Sequence, residues 1–223
     1  MNKKKVLVII MFLIGVLLVT GCSNRNDPEL ISFKDDFSSP DSGWSTSTYD
    51  NANYYYNNDN YAIKVNVIDK LYRATAPIDK LSSEYTVKVD VLHKTQEGHL
   101  GIVFNKIEDG ELDDYYVFRF RPYTQEYKVS RNNEISGDGW TNIMSWESYN
   151  TLNEKNNTLK LVQNKDNISL YLNGNLLKEL SGIQVNNEGI EVGLFVSSLE
   201  SDDTLTDSVI GIFDNFEVSG YAF

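Results

Sequence analysis

The chain has 223 residues, 41% hydrophobic, 12% aromatic and 23% charged, with 14 glycines, 14 tyrosines and only 4 prolines. That composition describes one medium-sized globular domain and excludes a disordered chain, a collagen-like fibre and a multi-pass membrane protein. One cysteine and two histidines exclude a disulfide framework and a four-thiolate zinc site, and a net charge of −12 with no basic cluster beyond the first five residues argues against a nucleic-acid partner.

Lys3, Lys4 and Lys5 precede an apolar stretch from Val6 to Val19, followed by Thr20, Gly21 and Cys22. A charged start, a short apolar run and small residues form the pattern of a secretory signal peptide. The apolar run is too short to cross the roughly 30 Å hydrocarbon core, which takes about 20 residues. Val19-Thr20-Gly21-Cys22 resembles the lipobox of bacterial lipoproteins. The resemblance implies removal of residues 1–21, acylation of the Cys22 thiol with fatty acids such as palmitate, and an extracytoplasmic domain anchored to the bacterial cell membrane. Several acyl chains, each buried methylene contributing about 0.8 kcal/mol, hold where one chain is marginal. Loss of the signal takes three lysines and no acid from the 20 basic and 32 acidic residues, leaving −15. Residues 22–29 then read as the lipidated cysteine and a polar tether, and residues 30–223 as a single domain.

Within that domain the pattern is strand after strand. An Asn-rich patch over residues 50–60 contains Tyr54, Tyr55 and Tyr56, which cannot all face inward from one strand. Period-2 alternation follows over residues 62–67, 85–91, 100–104, 116–120, 127–130, 159–162, 168–172 and 190–196. Residues 79–83 read as one short helical turn. Turn signals separate the runs, at Asn57-Asn58-Asp59-Asn60, Glu108-Asp109-Gly110, Ser136-Gly137-Asp138-Gly139 and Asn173-Gly174-Asn175. The last is an Asn-Gly hairpin between leucine-rich runs. No convincing 3.6-residue period occurs, so the fold class is all-β, a sandwich or a barrel.

A more specific resemblance rests on motifs in a shared order. Phe33-Lys34-Asp35-Asp36-Phe37 with Gly43-Trp44 opens the domain and Ile212-Phe213-Asp214-Asn215-Phe216 closes it. Gly101-Ile102-Val103-Phe104, Tyr115 to Phe120, Trp140 to Trp146, Asn157 to Leu161, Leu170 to Gly174 and Gly193-Leu194-Phe195 lie between. This order resembles the concanavalin A-like lectin/glucanase superfamily, with its LamG-like and family-sixteen glycoside hydrolase-like members. The resemblance implies an antiparallel two-sheet jelly roll whose first and last segments pair at one edge, sugar bound on a concave outer face, and a structural calcium ion near Asp36 and Asp214.

Alternation sorts the faces. Tyr116, Phe118 and Phe120 share one face and read as core, which turns Arg119 and Arg121 to the other; likewise Thr86, Lys88 and Asp90 oppose the valines of residues 85–91. These polar sets are candidates for the sugar face, although a plain solvated sheet surface has the same pattern. Of the three tryptophans, Trp146 falls with Ile143 in a position that the resemblance packs between the sheets. Trp140 follows a glycine-rich turn and is the better platform for a sugar ring. The candidate ligand set is Trp140, Arg119, Arg121, Asp90 and Trp44. The charge of −15 favours a neutral polysaccharide. Catalysis has less support. Glu111-Leu112-Asp113 begins the Glu-x-Asp-x-Glu pattern of family sixteen, but residues 115 and 116 are tyrosines, and His93 and His99 stand apart. The reading is a lipid-anchored, non-catalytic glycan-binding domain, with a glycoside hydrolase-like enzyme or a protein-interaction module as alternatives.

Overall fold

A computed structural model describes residues 28–68, 70–93, 98–109, 111–149, 156–185, 189–198 and 208–223. The signal segment and Cys22 lie outside the described residues. Among those described there is no helix long and apolar enough to cross a membrane.

Sixteen strands follow one another among the described residues. They are β1 (Leu30–Asp35), β2 (Ser47–Thr48), β3 (Ala52–Tyr56), β4 (Tyr61–Val65), β5 (Leu71–Thr75), β6 (Leu81–His93), β7 (His99–Asp109) and β8 (Leu112–Arg121). After them come β9 (Glu126–Asn133), β10 (Gly139–Asn142), β11 (Glu147–Ser148), β12 (Asn156–Asn164), β13 (Asn167–Leu172), β14 (Asn175–Leu180), β15 (Glu191–Ser197) and β16 (Val209–Ala222). One sheet runs β14-β13-β12-β6-β16-β4-β3-β2 with β1 on β16; the other runs β10-β9-β8-β7-β15-β5 with β11 on β9. Every pairing is antiparallel.

The alternating runs seen in the sequence are the inner faces of these two sheets. Val87, Val89 and Val91 of β6 and Leu159 and Leu161 of β12 come from one sheet, and Ile102 and Phe104 of β7 with Tyr116, Phe118 and Phe120 of β8 from the other. They bury into one core, and each such side chain contributes about 1.5–3 kcal/mol. At the β13–β14 hairpin, Asn173 and Gly174 both take left-handed backbone, φ 51° and 81°, the conformation a two-residue primed turn requires.

One expectation about these strands needs correction. Residues 81–83 are the start of β6, not a helical turn, because Leu81 is fully buried and pairs with Ile190 and Ala222. The first and last strands pair as expected, Leu30 opposite Tyr221 through Asp35 opposite Phe216: β6 lies along one side of β16, β4 and β1 share the other, and β1 has no second partner among the described strands. The Asn-rich patch contains a strand, β3, whose Tyr54 and Tyr56 pack on the core while Tyr55 does not, so the three tyrosines do not all face inward, as expected.

Candidate functional site

Because Tyr116, Phe118 and Phe120 turn inward, Tyr115, Val117, Arg119 and Arg121 of β8 turn outward from the seven-stranded sheet. Register places Gly101 of β7 and Lys128 of β9 on either side of Arg119, and Phe195 of β15 beyond Gly101. Val103, Tyr115, Val117 and Phe195 form a small apolar cluster on this face, separate from the main core, with Leu71 packed against it. The result is a sheet face with an apolar floor and charged residues around it.

Trp140 stands at the margin of that floor. Gly137 and Gly139, at φ 79° and 64°, let the chain reverse after β9 at no steric cost. The returning strand sets Trp140 opposite Asn132, which is itself opposite Tyr115. The indole meets Tyr115 edge-on at 5.8 Å, and the Arg119 guanidinium lies over it at 4.4 Å from the ring centre. Arg119 is buried, yet the indole remains 48% exposed. Stacking on a fixed cation and a fixed phenol ring holds the indole in one pose. A cavity of about 290 Å³ opens beside it, lined by Arg119, Lys128, Ser130 and Asn142, and by Lys70 and Ser198 across the sheet. Lys70 is positioned through its backbone, whose N–H donates to Ser198 Oγ at 3.1 Å while its carbonyl accepts from Ser198 N–H at 3.0 Å.

A second tryptophan borders the same face. Trp146 does not pack between the sheets as expected; Met144 is buried in the core instead, and the Trp146 ring lies half-buried against His99 at 5.0 Å. Arg121 is 4.4 Å and Lys128 5.2 Å from its ring centre. Nor does His99 stand apart. Arg121 Nε donates to its Nε2 at 2.9 Å, so the proton resides on Nδ1, which donates to Ser197 Oγ at 3.2 Å. Burial first, then the charges of Arg121, Arg119 and Lys128, hold the imidazole well below the ordinary histidine range, and the ring is neutral at pH 7.

Other candidates fall elsewhere. Trp44 is 3% exposed, its ring 4.9 Å from Phe216, 5.4 Å from Tyr61 and 5.5 Å from Phe37, so it belongs to the core and is withdrawn from the ligand set. Asp90 lies on β6, in the nine-stranded sheet, where it accepts hydrogen bonds from Thr158 Oγ1 at 2.5 Å and Asn215 Nδ2 at 3.0 Å. It therefore belongs to a different sheet from Trp140. Arg121 faces the same side as Arg119 but is committed to His99, Trp146 and Glu126, the last at 3.6 Å.

No protein-family model matches the sequence, and no curated protein matches it. Solved structures do. The carbohydrate-binding module CBM66 from Bacillus subtilis superposes with a TM-score of 0.57 and 15% identity, over 78% of this chain and 94% of its own. A Bacillus subtilis protein of unknown function with a galectin-like fold gives 0.61 and 10% over 85% and 96% of the two chains. The Bacillus licheniformis β-glucanase gives 0.59 and 11% over 86% and 98%. The fold is the concanavalin A-like jelly roll. Identities this low carry the architecture and no residue roles.

Asp36 follows the end of β1, where Asp35 stands opposite Phe216, two residues beyond Asp214 on β16. Burial raises the Asp214 carboxyl, and the charges of Asp90, Asp36 and Asp59 push it the same way, while the Asn215 N–H at 2.7 Å opposes them. Asp36 Oδ1 accepts from the Ser38 hydroxyl at 2.6 Å and its N–H at 3.1 Å, which lowers its carboxyl. Among the described residues no three His, Cys, Asp or Glu side chains gather as a metal group, so a calcium ion here would draw on backbone carbonyls and water for its six to eight oxygens. The Glu-x-Asp fragment divides: Glu111 is exposed, whereas Asp113 is buried at the start of β8, paired with Arg73 and 4.0 Å from Lys106. At the two positions where a second glutamate would complete the pattern, Tyr115 joins the outer apolar cluster and Tyr116 the core.

Proposed function

We propose that this domain binds a glycan, without hydrolysing it, on the outer face of its seven-stranded sheet, and is held at the bacterial cell surface by acyl chains on Cys22. One observation carries the reading. Trp140 presents an exposed indole, immobilised by Arg119 and Tyr115, beside a cavity rimmed by Ser130 and Asn142. A rigid aromatic plane offers stacking area to the C–H face of a pyranose, and a few fixed polar groups read its hydroxyls; sites for small ligands are built this way. That one similar structure is a carbohydrate-binding module fits this reading. The carboxylate of the Glu-x-Asp fragment is tied to Arg73, which supports binding over hydrolysis.

Trp140→Ala tests it. Loss of a central aromatic anchor is expected to weaken glycan binding by about 2 kcal/mol, roughly 30-fold, with the melting temperature nearly unchanged because the ring is half in solvent. Glycan-array binding that survives the substitution would overturn the assignment. For the anchor, Cys22→Ala is expected to abolish acylation and, once residues 1–21 are removed, to shift the protein from the membrane to the soluble fraction, as read by fractionation and mass; full membrane retention of a variant whose mass shows that the signal has been cleaved would overturn it. Calcium at Asp36 and Asp214 belongs to the same proposal. Millimolar calcium is expected to raise the melting temperature above that in excess chelator, since an ion that binds only the folded state stabilises it by mass action. Identical melting curves would remove the site.

A further inference from the structure

We propose that the end of the nine-stranded sheet at Leu30, Tyr221 and Phe223 seats on the surface of the lipid bilayer that holds Cys22, and so turns the Trp140 face away from the membrane. This placement rests on the acyl-anchor reading of Cys22 and adds an orientation to it.

The outward side chains of β1 and β16 change character along their ladder. Lys34 stands opposite Glu217, Ser32 opposite Ser219 and Leu30 opposite Tyr221. The intervening Ile31, Phe33 and Val218 pack toward the core, so these three pairs share the outer face. An ion pair, Lys34 Nζ to Glu217 at 3.4 Å, gives way to two hydroxyls and then to an apolar pair. Phe223 continues the row two residues beyond Tyr221. Its N–H donates to the Lys80 carbonyl at 3.0 Å, and a Cβ at Gly189 would come within 2.9 Å of its ring, so the ring lies directly on that glycine. Leu30, Tyr221 and Phe223 are nonetheless 66%, 42% and 65% exposed. Together they form an apolar corner, which marks a contact surface where a lone exposed leucine would not.

The route of the chain says what covers this corner. The Ala222 N–H donates to the Glu29 carbonyl at 2.7 Å, so the polypeptide enters the ladder beside the apolar pair. Cys22 stands eight residues before Leu30, and eight residues reach at most about 29 Å. Acyl chains in the bilayer therefore keep the corner at high effective concentration near the lipid, where a patch too small to bind by itself still docks. Tyrosine, with an apolar ring and a polar tip, suits the headgroup level. Glu29 and Glu84 are exposed at the border of the corner and hold it at that level, since a carboxylate is costly in hydrocarbon. Trp140 stands on the outer face of the other sheet, across the shared core, so a domain seated this way presents its glycan face outward.

The test is photo-labelling of the processed, acylated protein in vesicles of phosphatidylethanolamine and phosphatidylglycerol that carry a diazirine phospholipid. Mass spectrometry locates the labelled segments. Residues 28–35 and 216–223 are expected to take roughly fivefold more label than residues 139–149, which carry Trp140. In the triple variant Leu30→Ser, Tyr221→Ser, Phe223→Ser that excess is expected to vanish while the melting temperature holds, because all three side chains are exposed. Label confined to residues 22–27, or spread evenly over the domain, would overturn the docking, as would an excess that survives the triple substitution. A dimer in detergent that the triple substitution dissociates would assign the corner to a second copy instead. An intact mass without acyl chains on Cys22 would overturn the anchor reading and the docking together, whereas acylated protein with an unlabelled corner would remove the docking alone.

Discussion

Trp44→Ala is expected to cost the domain about 3–5 kcal/mol, the range for removing a large aromatic from a packed core. Trp44 is fully enclosed by Phe37, Tyr61 and Phe216, rings that belong to the loop after β1, to β4 and to β16. One side chain thus joins the N-terminal segment to the strand that closes the domain. Emptying that space leaves a void the β1–β16 ladder has no slack to fill, since its register is fixed residue by residue from Leu30 to Asp35. For a domain of this size the loss corresponds to a fall in melting temperature of roughly 10 °C. Glycan affinity at temperatures where the variant is folded should be unchanged, because Trp44 and Trp140 belong to different parts of the molecule. Trp44→Phe should lose much less: the indole Nε1 is buried and finds no hydrogen-bond partner among the described residues, so its removal strands nothing. A melting curve for Trp44→Ala that matched the parent would show that the ring is not a core element.

Lys106→Met is expected to produce the second large loss. Lys106 is 3% exposed, and its ammonium meets Glu108, Glu191 at 2.7 Å and Asp113 at 4.0 Å. Asp113 pairs in turn with Arg73, whose guanidinium covers the Tyr115 ring that supports Trp140. Methionine keeps the stem volume but leaves the carboxylates without their shared cation. Breaking a buried pair by removing one partner costs about 3–5 kcal/mol. The low end applies here, because Glu108 is exposed and rehydrates, and Arg73 still neutralises Asp113. Denaturant unfolding measures it, and a variant within 1 kcal/mol of the parent, a surface pair's worth, would mean the cluster is solvated. Glu108→Gln serves as the internal comparison and should cost far less, its side chain being 57% exposed.

Much of this protein was legible in its sequence because period-2 alternation is local. The inward turn of Tyr116, Phe118 and Phe120, and the outward turn of Arg119, follow from adjacent residues alone. The Asn173-Gly174 hairpin is equally local, since the left-handed conformations its turn needs suit those two residue types. The glycines before Trp140 likewise mark a reversal that carries the next side chain outward. Where strands lacked alternation, as in the short β10 and β11, or hid within Asn-rich sequence, as in β3, the same signal was absent.

What the sequence by itself determined, then, is the all-β class and the inner and outer faces of its longer strands. Which sheet a strand joins was decided only by tertiary pairing. β6 and β8 have the same alternating character, and Asp90 and Arg119 read alike along the chain. Yet β6 is sealed between β12 and β16, and β8 between β7 and β9, so the two side chains belong to different sheets. Trp44 and Trp146 lie in irregular segments with no period to read, and packing alone sent the first to the core and the second to the outer face. The lining of the cavity was hidden most deeply. Lys70 reaches the cavity through a hydrogen bond to Ser198, 128 residues away. A lining assembled across that separation depends on strand order, because no local rule of propensity or spacing connects β5 to β15 before the sheet itself has formed.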